Sequence, residues 1–247
     1  MTPRAVVQRE RRLGTLAGVA GLASTLLWFA SMLLGHAVTA PGSAGAVTDA
    51  DVLLTLHQEG HRQLLSSVAG ALHLVLIVPV ALYLAAALRR RRTGTGAWVT
   101  ALVVCVPVLL AVLSLAAHFQ VQTIASAFAS GGAHTAQRAH QLLAASAALT
   151  VMRVLEYAAG LAFAGWIGFV SLTGIEVGLL TRQLGYFGLG TAVARITVPM
   201  AGDALFIGFL LAISCLALGY WPGGRPAAWD ADVAAASWRN AATSSAR

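Results

Sequence analysis

Twenty-five consecutive residues, Leu64 to Leu88, carry no charged side chain, and four arginines, Arg89-Arg90-Arg91-Arg92, follow at once. At about 1.5 Å per helical residue such a run reaches roughly 37 Å, more than the ~30 Å hydrocarbon core of a bilayer. A soluble domain has no use for this pattern. It buries helices through one apolar stripe, whereas a run that is apolar all round needs an apolar solvent. The composition agrees: 58% of the 247 residues are hydrophobic and 10% are charged, against about 25% charged in ordinary globular domains. Mean hydropathy is +0.77. The formal net charge is +7 and all 16 basic residues are arginine. They lie in short runs beside apolar segments, which points to cytoplasmic loops of a membrane protein rather than to nucleic acid.

The expected fold class is therefore all-α, a six-helix transmembrane bundle with N- and C-termini cytoplasmic. Residues 1–12 form a basic N-terminus, 13–221 the six-span domain and 222–247 a flexible cytoplasmic tail. The spans are Leu13–Gly35, Leu64–Leu88, Trp98–Ala117, a long fourth helix over Gln137–Ile175, a short fifth over Leu184–Val198, and Ala204–Tyr220. Two polar connections, His36–Gln63 with a helical piece from Asp49 and His118–Ala136 with Gly131-Gly132, fall on one side. Arg89–Arg92, Arg182, Arg225, Arg239 and Arg247 fall on the other, which the positive-inside bias makes cytoplasmic. A signal peptide is the competing reading of the first run, with Val38-Thr39-Ala40 as a cleavage site; the run is longer than a signal core of ~7–15 residues, so it is read as a retained helix. Gly14 and Gly18, and Gly160, Ala164 and Gly168, recur four apart and would let helices approach closely.

This topology sends all seven histidines to the outer half or outer loops. His73 is the deepest, and His118 ends the third span. Arg153 and Glu156 share a face of the fourth helix and can pair; Arg195 and Asp203 flank the turn before the last span and can pair likewise. Ionisable groups at such depth are costly and mark either structural ion pairs or functional sites. His73, His118, Arg153, Glu156, Arg195 and Asp203 are therefore the candidate ligand-binding residues, lining a polar outer vestibule. His57 and His61 are the candidates for a metal, four apart as helical ligands can be, but they do not form H-E-x-x-H, Glu59 points elsewhere on a helix, and Gly60 weakens the helix. No metal site and no cofactor is assigned; His73 and His118 differ too much in depth to hold a haem. Trp28, Phe29, Tyr157, Phe163, Trp166, Phe169 and Phe206 would line a lipid or isoprenoid pocket or pack the core. Cys105 and Cys215 read as inert packing residues.

The C-terminal part carries Val177-Gly178-Leu179-Leu180-Thr181-Arg182, Leu184-Gly185, then Leu218-Gly219-Tyr220-Trp221-Pro222-Gly223-Gly224-Arg225-Pro226 and Trp229. Over Gly174 to Trp229 it resembles a group of actinobacterial integral membrane proteins whose last helix runs into a Trp-Pro-Gly-Gly tail. The overall layout is loosely similar to DUF4386-type multi-helix membrane proteins. The resemblance implies a six-helix plasma-membrane protein and brings no activity and no site residues; Ala227-Ala228-Trp229-Asp230 departs from the group's tail pattern.

The functional expectation is a multi-pass plasma-membrane protein, a carrier, sensor or accessory subunit. It would bind a small-molecule, lipid-like or isoprenoid-like ligand in the outer vestibule, with membrane lipid as partner and no nucleic acid. The alternative is a membrane-embedded isoprenoid cyclase or isomerase in which Glu156 or Asp203 is the general acid, although Arg153 beside Glu156 favours the carboxylate. A periplasm-facing pH or metal sensor is a third reading of the seven histidines.

Overall fold

Uncharged runs of this length satisfy their backbone polar groups only by becoming helices, and the computed structural model is helical throughout the described residues, 3–35, 48–92, 97–221 and 226. Among the described residues there are eight helices: α1 Pro3–Gly35, α2 Asp49–Gln58, α3 Gly60–Arg91, α4 Ala97–Ala129, α5 Ala136–Ala144, α6 Ala147–Glu176, α7 Arg182–Thr197 and α8 Pro199–Leu218. Among the described residues, five helices are long and apolar enough to cross a membrane: those containing Arg12–Gly35, Gly60–Arg91, Trp98–Ala129, Ala147–Glu176 and Pro199–Leu218. The chain is thus a membrane-embedded helical protein. His36, the Val38–Ala40 cleavage reading and the tail motif from Pro222 to Arg225 lie outside the described residues, as does the stretch beyond Pro226.

Two sequence expectations are corrected. His118–Ala136 is not a polar connection: α4 continues for 11 residues past His118 to Ala129. Its polar residues there do not break a helix, and the first glycine comes at Gly131. The long fourth helix over Gln137–Ile175 is two helices. Ser146 ends α5 and caps α6, its Oγ accepting from the Leu149 backbone N–H at 3.3 Å.

The chain divides into two units, and the division falls within α1, α3, α4 and α6. The first holds the described residues up to Thr25, Leu76–Val106 and those from Gly160 on; the second holds Leu26–Val75 and Pro107–Ala159. In the first, α1 lies close to α3 and α8. A Cβ on Gly14 would come 2.8 Å from the Tyr83 hydroxyl, and one on Gly18 would come 2.6 Å from Leu218. These glycines work as the sequence suggested. Gly160 does not, since a Cβ there would meet nothing within 4 Å. Two buried hydroxyls are satisfied by their own helix: Ser214 donates to the Leu210 carbonyl at 2.7 Å and Thr191 to that of Phe187 at 2.9 Å. α7 and α8 share a single residue, Val198, as C-cap of one and N-cap of the other. They fold back antiparallel, with Phe187 against Phe209 and the Arg195 backbone against Gly202. α8 ends where Gly219 takes φ 91°, a left-handed cap, and the Tyr220 N–H donates to the Cys215 carbonyl at 2.9 Å.

The second unit contains a small core away from the apolar runs. Ala50 and Leu53 of α2, Ala125 and Phe128 of α4, and Ala139 of α5 are buried together. α2 is started by a capping box, in which Thr48 Oγ1 accepts from the Asp51 N–H and Asp51 Oδ2 accepts from the Thr48 N–H at 3.0 Å. The Thr48 hydroxyl, then its backbone N–H, hold the Asp51 carboxyl below the usual aspartate range.

Gly202→Ala should force α7 and α8 apart and lower thermal stability in detergent by about 1–3 kcal/mol. Gly160→Ala, with open space around it, should be neutral or slightly stabilising; equal losses for the two would contradict the close approach at Gly202. Because the folded pKa of Asp51 is depressed, its contribution is present above the unfolded pKa of about 3.9 and is lost as pH falls through the folded value. Hydrogen-exchange protection of the α2 amides should therefore be flat between pH 5 and 8 and fall only below about pH 4, a fall that Thr48→Ala reduces, since the backbone N–H at position 48 still donates to Asp51.

Candidate functional site

Several polar residues of the second unit meet where α2 turns into α3. α2 stops because Glu59 leaves helical geometry, at φ −105° and ψ 28°, and Gly60 opens α3. The helical axis breaks between His57 and His61, and this corrects the expectation for Glu59: it does not point elsewhere but lines the same groove as the two imidazoles. A Cβ on Gly60 would come 3.0 Å from the Gln122 amide nitrogen on α4. The absence of a side chain lets the Gln122 carboxamide rise beside the bend, one turn beyond His118.

The result is an open groove of about 530 Å³ lined by His57, Glu59, His61, Arg62, His118 and Gln122, with the Phe119 ring at its side. Arg62 is partly tied down. Its guanidinium donates to the Leu33 carbonyl at 3.4 Å and lies 3.8 Å from Glu59 Oε2. That separation is an ion pair but not a hydrogen bond. Glu59 Oε2 and Gln122 Oε1 are both buried and accept no hydrogen bond from any protein group. Buried acceptors without donors cost about 1–3 kcal/mol each, more when charged, so the groove asks for a donor from outside the chain. Its lining serves hydrogen bonding and charge pairing. Among the described residues no three His, Cys, Asp or Glu side chains are grouped to hold a metal ion.

The expected site residues fall in different places. His118 lines the groove. His73, in α3 of the same unit, is buried at 6% exposure. Arg153 is exposed and Glu156 half-buried on α6; their charged ends are not within ion-pair distance and neither lines the groove. Arg195 and Asp203 belong to the first unit and do pair, at 2.5 Å. The Arg195 guanidinium also lies over two rings, 5.3 Å from the centre of Phe163 and 5.4 Å from that of Phe206. A carboxylate and two rings thus hold this cation, which ties α7 to α8. Phe163 stacks on Trp166 at 5.6 Å and meets Phe206 edge-on at 5.1 Å. The cavity that Trp166 and Phe206 border, with Phe209 and Ile213 among its other lining residues, is about 10 Å³, room for about one water and not for an isoprenoid chain.

All six described histidines belong to the second unit. Sequence reasoning missed Glu59 and Gln122. The signal for Gln122 was available: Val121, Ile124, Ala125 and Phe128 recur at helical spacing and extend α4 past His118, placing Gln122 one turn from it.

Asp203→Asn should leave Arg195 held by aromatics alone and lower thermal stability, by more than Asp49→Asn at the exposed His140–Asp49 contact of 3.1 Å. Thermal midpoints of the two variants in detergent measure the difference, and equal small losses would show that the Arg195 clamp does not hold the hairpin.

No family model, no curated protein and no solved structure matches the chain.

Proposed function

We propose that the chain is a six-span plasma-membrane protein with both termini cytoplasmic, and that it binds a small or lipid-like molecule in the groove at the α2–α3 bend. It acts as a carrier, sensor or accessory subunit. α7 is the sixth crossing. Its 16 residues reach about 24 Å as a helix, short of the hydrocarbon thickness, and local thinning covers such a difference at modest cost. The antiparallel return of α8 supports this, because a 20-residue crossing needs a partner that brings the chain back. The Arg89–Arg92 run supports a cytoplasmic end for α3. Arg92 pairs with Glu176 at the end of α6, at 2.7 Å, so these two ends lie together. The group with the Trp-Pro-Gly-Gly tail, which the C-terminal sequence resembles, has the same six-helix layout.

The observation that carries the binding reading is the pair of buried acceptors, Glu59 Oε2 and Gln122 Oε1, without a donor at the wall of an open groove. A structural role would have been met by apolar residues at those positions with less cost. The groove lies at the end of the apolar run that begins at Leu64, the level at which headgroups and solvent meet the protein.

Native mass spectrometry of gently extracted protein tests this. The wild type should retain a small molecule or lipid that His118→Ala and Gln122→Ala both lose while remaining monodisperse. Identical bound mass in wild type and both variants would remove the groove as a binding site.

A further inference from the structure

The groove's chemistry narrows what it takes, and this inference rests on the binding reading above. Both of its buried unpartnered atoms are acceptors, one a carboxylate oxygen and one an amide oxygen. An anion placed there would face Glu59 with no donor to offer, and a purely apolar group would leave both atoms unsatisfied. A protonated primary amine answers both. It brings up to three N–H donors on a compact cation, enough for the Glu59 carboxylate and the Gln122 carboxamide that line the groove. The Phe119 ring is part of the same lining, and aromatic rings attract ammonium.

The remaining charge fixes the second half of the ligand. Glu59 and Arg62 bring one negative and one positive charge to the groove. A simple amine would satisfy Glu59 and repel Arg62. A zwitterion, with an anionic group a few bonds from its ammonium, satisfies both. The Arg62 side chain is 47% exposed, so its guanidinium has free surface toward solvent while one nitrogen holds the Leu33 carbonyl. Arg62 and the exposed His57 and His61 form the outer lip, where a phosphate would rest.

We propose that the groove binds a primary-ammonium zwitterion of the phosphoethanolamine type, with the ammonium on Glu59 and Gln122 and the phosphate toward Arg62. Two sources share this chemistry: the headgroup of an aminophospholipid entering from the bilayer, and a free phosphoethanolamine-like solute. The groove's position at the end of the Leu64–Leu88 run is open to both.

The test uses the full-length protein in nanodiscs of equimolar phosphatidylethanolamine, phosphatidylcholine and phosphatidylglycerol, with lipid retention read by native mass spectrometry. Phosphatidylcholine carries a cation without N–H donors, and phosphatidylglycerol carries donors without a cation. The wild type should retain phosphatidylethanolamine over both, and Glu59→Gln should reduce that preference about ten-fold, the loss of one charged hydrogen bond. Gln122→Leu should reduce it less, and both variants should remain monodisperse. If phosphatidylethanolamine shows no preference but added phosphoethanolamine raises the thermal midpoint of wild type and not of Glu59→Gln, the free solute is the source and the zwitterion assignment holds. Retention of phosphatidylglycerol or phosphatidylcholine in preference, lost in Arg62→Ala or His118→Ala, would keep the groove as a site and overturn the ammonium assignment. Retention of all three lipids unchanged in every groove variant, with no response to phosphoethanolamine, would overturn the groove as a site as well.

Discussion

A backbone amide inside hydrocarbon has no water to bond, and this one constraint accounts for most of the structure. It forces each long apolar run into an unbroken helix. It also decides how polar side chains are tolerated inside those helices. Thr191, Thr173 and Ser214 turn their hydroxyls onto the carbonyl one turn back, so each is buried without needing a partner on another helix. Pro79 and Pro107 sit within α3 and α4 without ending them. Caps mark helix ends as well: Thr48 starts α2, Ser146 starts α6, Thr181 starts α7 and Gly219 ends α8.

Against this background the two polar constellations differ in kind. Arg195 is fully answered, with a carboxylate and two aromatic faces for one guanidinium. Breaking such a set leaves a buried charge uncompensated, a cost of about 3–5 kcal/mol when burial is complete and less here, where Asp203 is half exposed. It belongs with the forces that hold α7 against α8. The bend at Glu59 is the opposite case. There the chain brings together a carboxylate, a carboxamide, an arginine and three imidazoles, and leaves two of the buried acceptors unanswered.

The apolar runs and the helices they form were legible because hydrophobicity over 20 or more residues is a signal that local detail cannot mask. Arg195 with Asp203 was legible from their spacing across a short turn. The break at Ser146 was not, because Ala144-Ala145-Ser146-Ala147 has full helical propensity and the cap shows only in the geometry. The extension of α4 past His118 was hidden by its polarity: Gln120, Gln122, Thr123 and Ser126 read as a loop when taken one by one, although Val121, Ile124, Ala125 and Phe128 keep the helical period. Glu59 was set aside on the assumption of a continuous helix from Asp49 to Arg62. The bend at Glu59–Gly60 reverses that reading and makes the groove, so the site depends on a local backbone departure that composition and periodicity do not carry.

The account depends on the bend and the arginine run facing opposite sides of the membrane. With Cys105 and Cys215 replaced by alanine, single cysteines at His57→Cys and Arg90→Cys can be labelled in intact cells by a membrane-impermeant maleimide. The account expects label at position 57 in intact cells and at position 90 only after permeabilisation. Both positions reacting from the same side would contradict it.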